Sequence, residues 1–101
     1  MERFKLKFLW LDNSLAFCLN QQVGRRTIPL TDFYFWPQTD AWGDISIYLE
    51  NNKFISKFER VSLLNQISEV INCWQTKDPS NSKSLEELYD KFPSSLFLTS
   101  D

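Results

Sequence analysis

Apolar and polar side chains alternate from the start of the chain. Phe4, Leu6, Phe8 and Trp10 fall on one side of an extended segment, and Arg3, Lys5 and Lys7 on the other. That period of two marks a half-buried strand. Leu15-Ala16-Phe17-Cys18-Leu19 predicts a second strand, and Asp12-Asn13-Ser14 between them has a turn composition. If Asn13-Ser14 is a two-residue loop, Trp10 stands opposite Phe17 and Phe8 opposite Leu19. Both pairs are apolar and share one face. Lys7 then faces Asn20, and Lys5 faces Gln22, on the other face; a slip of one residue destroys this agreement. Val23-Gly24-Arg25-Arg26 reads as a turn in which Gly24 supplies backbone freedom. Residues 27–38 read as irregular or extended, because Pro29 and Pro37 bias their predecessors away from helix.

The period then changes to that of a helix. Thr39 reads as an N-cap, with Asp40 in a first turn that favours negative charge. A helix over 40–51 aligns Trp42, Ile45 and Leu49, although Gly43, Ile45 and Ile47 lower its propensity; Asn51-Asn52 is its stop. A stronger helix spans 57–76. Ser56 and Glu59 form a capping box. Val61, Leu63, Leu64, Ile67, Val70, Ile71 and Trp74 lie on one half of that helix; Ser62, Asn65, Gln66, Glu69 and Asn72 lie on the other. Residues 76–84 have linker composition. Ser84 and Glu87 offer a second capping box for a short helix at 85–91, ending before Pro93. Leu96-Phe97-Leu98 is a short apolar anchor that can dock on this domain or on a partner. The predicted fold is α+β: an N-terminal β-hairpin, or small antiparallel sheet, packed by two α-helices, with a short C-terminal helical extension. Residues 1–76 form the domain, and 77–101 the linker and extension. A lone hairpin is marginal, so the helices must cover its apolar face.

Composition sharpens this outline. A chain of 101 residues supports one modest core, and its 16% aromatic content supplies much buried area per residue. The net charge of −2 argues against a basic nucleic-acid coat. The charge is uneven, however. Residues 1–26 carry five basic and two acidic side chains, residues 27–56 one and four, and residues 57–101 five and seven. A basic end on an acidic body fits RNA contact over a small area, or basic protein partners on the other side. Two cysteines, Cys18 and Cys73, are too few for a disulfide framework or a thiolate metal cage and read as buried free thiols. No run reaches the ~18 apolar residues of a membrane span. The strand pattern starts near residue 3 and leaves no room for a targeting leader, so the protein is expected to act where it is made, or after processing.

Catalytic chemistry has few supports. There is no histidine, the commonest general base and metal ligand. Gly24 and Gly43 are too far apart for a phosphate-cradling loop, and Glu86-Glu87 do not share a helix face. No enzyme activity, metal, cofactor or small-molecule substrate is expected. Two constellations remain. Arg3, Lys5, Lys7, Arg25 and Arg26 gather at the open end of the expected hairpin and suit phosphate contact. The bland alternative is a solvated strand face that discourages edge pairing. Phe33-Tyr34-Phe35-Trp36 could stack bases. It could equally fill the gap between hairpin and helices, and Asp32 and Asp40 bracket it, repelling phosphate. The polar half of the second helix is a solvated face or a seat for a protein neighbour.

Several phrases occur together in a fixed order. They are Lys7-Phe8-Leu9-Trp10-Leu11, Pro29-Leu30, Tyr34-Phe35-Trp36-Pro37, Asp40-Ala41-Trp42, Leu49-Glu50, Leu63-Leu64-Asn65-Gln66 and Ile71-Asn72-Cys73-Trp74-Gln75. Across roughly residues 3–75 the chain resembles the plastid and cyanobacterial small-subunit ribosomal protein family often called plastid-specific ribosomal protein three. The resemblance implies a structural constituent of the small ribosomal subunit, without a catalytic role, serving translation in a plastid or cyanobacterium beside rRNA and other ribosomal proteins. It supplies no RNA-contacting residues. The chain departs from the pattern at Gly43, where a glutamate is usual, and at Phe54, where a tryptophan is usual; Gly43 is expected to fray the first helix. Residues 76–101 lie outside the pattern. The competing reading is a soluble adaptor that binds a protein outside the ribosome. Stoichiometry separates the two, since a structural component occurs near one copy per subunit.

Overall fold

The N-terminal alternation becomes a hairpin. In the computed structural model, which describes residues 3–76 and 83–99, Phe4–Trp10 forms β1 and Leu15–Val23 forms β2, paired antiparallel. The register differs from the expected one by two residues. Phe8 stands opposite Phe17, Leu6 opposite Leu19 and Trp10 opposite Leu15. The turn is centred on Asp12-Asn13, and Leu11 N–H donates to the Ser14 carbonyl at 3.1 Å. A two-residue shift leaves every side chain on its original face, so the apolar pattern fits both registers equally. The observed one brings Phe8 and Phe17 across from each other, ring centroids 6.1 Å apart.

Gly24 turns the chain with φ +61°, and β3 (Arg26–Pro29) returns along the free edge of β2. The same edge is taken up again by β4 (Tyr34–Trp36). Residues 27–38 are therefore strand in two pieces. Pro29 is tolerated because β3 lies at the sheet edge. Between the pieces, Leu30 and Thr31 N–H groups donate to the Leu19 carbonyl at 2.9 and 3.3 Å, and Leu19 N–H donates to Thr31 Oγ1 at 3.0 Å. The interrupted ladder thus leaves no polar group of Leu19 unpaired.

After Trp36 the chain enters α1 (Ala41–Asn51). Its cap is Asp40 and not Thr39: the Asp40 carboxylate accepts from Gly43 N–H at 3.2 Å, while the Thr39 hydroxyl donates to the Phe35 carbonyl. Gly43 does not fray the helix: its N–H donates to the cap, the first turn is closed by Asp44 N–H donating to the Asp40 carbonyl, and a Cβ at 43 would require the Asp40 carboxylate to shift. The buried stripe is Ala41, Ile45 and Leu49. Trp42 falls beside it and donates its indole N–H to Ser68 of the next helix at 2.9 Å.

That helix, α2 (Lys57–Gln75), starts with the expected capping box between Ser56 and Glu59. Leu63, Ile67, Val70, Ile71 and Trp74 are buried. Val61, expected on the same side, is 46% exposed; it stands about 120° around the helix from Ile67. Trp74 donates to the Leu11 carbonyl at 2.9 Å, tying the end of α2 to the hairpin turn. The linker at 77–82 lies outside the described residues. Helix α3 (Lys83–Lys91) begins earlier than expected, so Ser84 lies within it rather than at its cap.

The last element corrects the expected outline. Leu96-Phe97-Leu98 docks on this domain, the first of its two alternatives, and does so as a strand. It belongs to β5 (Leu96–Thr99), which pairs parallel with β1 and completes a five-stranded mixed sheet ordered β3-β2-β1-β5, with β4 also on β2. Phe97 stacks on Phe8 with centroids 5.0 Å apart and planes 9° from parallel. The hairpin is thus the middle of a sheet, and three helices accompany it. Phe4, Leu6, Phe8, Leu15, Phe17 and Leu19 join buried residues of α1, α2 and α3, together with Phe97, in one core on one face of the sheet.

Candidate nucleic-acid interface

The opposite face of the sheet carries no helix among the described residues. Cross-strand pairing places its side chains in rows. Leu98, Leu9, Ala16 and Phe35 form the row nearest the hairpin turn, and Leu96, Lys7 and Cys18 the next, with Lys5 and Asn20 beyond it. Ala16 and Cys18 are buried, yet neither belongs to the core. Their cover is this row structure. Lys7 extends along the face until its Nζ lies 5.8 Å from the centroid of the Phe33 ring. Burial pushes the Cys18 thiol pKa up, against an opposing pull from Lys7. Neither Cys18 nor Cys73 is in a disulfide.

The aromatic run divides by strand parity. Tyr34 and Trp36 stand opposite Phe17 and Leu15 and pack against the core. Burial, followed by the carboxylate of Asp44, raises the Tyr34 pKa. Phe33 and Phe35 fall on the helix-free face, where Phe35 is 43% exposed. The gap-filling reading holds for Tyr34 and Trp36, while Phe33 and Phe35 lie on the face turned away from the helices. The signal was present in the alternation itself, once residues 34–36 are taken as strand.

The five cations also divide. Lys5 and Lys7 share the helix-free face, half-buried, and Arg25 and Arg26 are exposed at the turn that follows β2. Two residues of β2 separate Asn20, opposite Lys5, from Val23, opposite Arg26; the three steps span ~10 Å and leave Arg26 on the other face. Arg3 is not part of this group. Its guanidinium grips both carboxylate oxygens of Glu59 at 2.9 and 2.6 Å and donates to the Phe54 carbonyl at 3.0 Å. It fastens the start of β1 to the start of α2.

The Arg3 hydrogen bond, aided by the Ser56 cap, holds the Glu59 carboxyl down from 4.5 to about 2. A depressed carboxyl stabilises the fold above its unfolded pKa and loses that contribution as pH falls through the folded value. Wild-type stability is therefore expected to decline more steeply than that of Arg3→Met between pH ~4.5 and ~2, by less than ~1 kcal/mol for so accessible a pair. Urea unfolding at stepped pH measures this, and parallel profiles would reject the clamp.

Elsewhere, Phe58 is 82% exposed on the first turn of α2, and Phe54 and Val61 are also exposed. With the turn after α3, this end of α2 forms a shallow trough lined by Phe58, Val61, Phe92 and Pro93. Among the described residues, no cluster of three or more His, Cys, Asp or Glu side chains could hold a metal ion. No described helix is long and apolar enough to cross a membrane.

The family model for "Plastid and cyanobacterial ribosomal protein (PSRP-3 / Ycf65)" matches residues 30–77. The chain is 50% identical over 93 residues to the small ribosomal subunit protein cS23 of Euglena viridis, covering 92% of each chain. Identity to the Euglena stellata protein of the same name is 48% over 101 residues, 100% of each. The chain belongs to this ribosomal protein family. A cyanobacterial relative, the probable small ribosomal subunit protein cS23 of Synechococcus sp. (strain JA-3-3Ab), is 41% identical over 93 residues. The plastid and cyanobacterial ribosomal proteins are structural proteins and not enzymes, which agrees with a chain lacking histidine. The matched segment of the family contains β4, α1 and α2, and so includes Phe33 and Phe35; Lys5 and Lys7 lie before it.

Proposed function

We propose that the chain is a structural constituent of the small ribosomal subunit in the plastid stroma or the cyanobacterial cytoplasm. It supports translation by bracing rRNA and neighbouring ribosomal proteins. The observation that supports the RNA contact is the placement of Lys5 and Lys7 together on the helix-free face, with Arg25 and Arg26 exposed at the turn beyond, Arg26 on the other face by strand parity. Four such cations suit the phosphate backbone, and their contribution is salt-dependent and blind to sequence. Arg3 contributes indirectly, by positioning β1. The exposed Phe54, Phe58 and Val61 suit a protein neighbour. No membrane and no small-molecule substrate enters this role.

Sedimentation of a native lysate through low and high salt tests the proposal. Near-stoichiometric comigration with small subunits is the expected result, and a chain that stays at the top of the gradient would instead be a non-ribosomal adaptor. The isolated chain should lose RNA affinity about 100-fold for a four-fold rise in salt if all four cations meet phosphate. Reversing Lys5, Lys7, Arg25 and Arg26 to glutamate should abolish that slope and loosen the protein from the subunit. Unchanged association of the reversed variant would remove these residues from the interface. Retention of wild type at high salt would indicate an additional apolar seat.

A further inference from the structure

We propose that the helix-free sheet face receives an unpaired stretch of RNA, with one base stacked on Phe35 and phosphates of the same strand held by Lys5 and Lys7. This rests on the rRNA contact proposed above and specifies which form of RNA the face takes.

Three observations lead there. The first is charge. None of the five strands contains Asp or Glu, although the chain as a whole has a net charge of −2. The sheet face is therefore positive where the rest of the surface is acidic, which favours a polyanion over an ordinary protein surface. The second is the aromatic pair. Lys7 already lies against Phe33, whereas Phe35 stays 43% exposed beside its cross-strand neighbour, the fully buried Ala16. An accessible ring is a stacking surface, and every base has a face to offer it. The third is the geometry around it. Phe35 shares its row with Leu9 and Leu98. A duplex would press its charged backbone on this apolar row, because its base faces are hidden within the helix. An unpaired strand can turn a base onto the row and keep its phosphates over β1. Lys5 and Lys7 stand ~7 Å apart along β1, positions that serve successive phosphates of one strand. Asp32, in the segment along the outer edge of β2, repels phosphate from that side and sets the backbone over β1.

The test titrates the full chain against a short labelled uridine oligomer and against an RNA duplex of equal length, read by anisotropy. Wild type should prefer the single strand. Phe35→Leu, which keeps apolar bulk and removes the π-face, should weaken single-strand binding roughly ten-fold and leave duplex binding and the salt slope unchanged. Phe35→Trp should restore it. If Phe35→Leu proves poorly folded by thermal melting, Phe35→Thr, which retains strand propensity, takes its place. Lys5→Gln with Lys7→Gln should reduce the single-strand salt slope by about 1.4.

Single-strand binding untouched by Phe35→Leu overturns the stacking. If the lysine variant still weakens binding, the phosphate contact survives that failure. If wild type binds neither RNA, the stacking and the underlying contact fall together. If Phe35→Leu binds RNA normally but dissociates from small subunits, the face belongs to a protein neighbour and the stacking is likewise overturned.

Discussion

Replacing Phe8 with alanine is expected to destabilise the fold by about 3–5 kcal/mol, from a total that for domains of this kind is ~5–15 kcal/mol. Phe8 joins three strands at the centre of the sheet. Phe8 is fully buried, faces Phe17 across the hairpin and lies flat on Phe97 from the last strand. Its removal leaves a void bounded by three strands of one sheet, which cannot close without breaking their pairing. The transfer and cavity contributions therefore add. Phe8→Leu fills much of the space and should cost only about 1–2 kcal/mol. Urea unfolding measures both; the Phe8→Ala midpoint should fall by about 2 M at unchanged slope. A loss below about 1.5 kcal/mol would mean that the neighbouring strands collapse onto the vacated site.

Ending the chain after Phe92 is expected to cost at least as much, ~3–5 kcal/mol for the Phe97 ring alone. The truncated chain also loses the β1–β5 pairing, the Tyr89 hydroxyl bond to the Phe97 carbonyl at 2.7 Å and the bond between Gln66 and Ser95. It leaves one face of Phe8 and the whole outer edge of β1 exposed. By contrast, Leu96→Ala and Leu98→Ala should each cost under ~1 kcal/mol, since both side chains point to the exposed face. A double-mutant cycle between Phe8 and Phe97 should return a coupling of ~0.5–1.5 kcal/mol for the stacked rings. A truncated chain that melts with the full-length protein would make residues 93–101 a dispensable tail.

Legibility in the sequence followed the range of the interactions concerned. The capping box at Ser56 and Glu59 involves neighbours along the chain and was readable to the residue. The two strands of the hairpin were readable as well, the first by its alternation through Phe8 and the second as a short apolar run after a turn. Their register was not, since two registers of equal parity satisfy the same pattern and only packing of Phe8 against Phe17 and Phe97 separates them. The cap of α1 was misplaced by one residue because Thr39 and Asp40 are both good caps, and Gly43, which reads locally as a weakness, is held by the Asp40 carboxylate. Longer-range features were hidden. Nothing near Leu96 says that it lies beside Lys7, and nothing near Arg3 says that Glu59 occupies it. For the interface, the residue types were evident, but their grouping was not. The basic and aromatic sets looked like rivals separated by the charge of Asp32. The parity of β4 brings Phe33 and Phe35 onto the face that carries Lys5 and Lys7.

The parallel pairing of β1 with β5 also has a consequence in time. The first strand to be synthesised finds its outer neighbour only when the last is complete. Roughly 90 residues separate Trp10 from Thr99, about 5–20 s of elongation. Throughout that interval β1 is a bare edge with a large apolar face, in a crowded compartment where other nascent strands could add to it. The lysines at 5 and 7 alternate with those apolar side chains along the waiting edge. Before any RNA is met, the same two charges act as a guard on the nascent chain, so a variant that neutralises both should aggregate during synthesis even where the finished fold tolerates it.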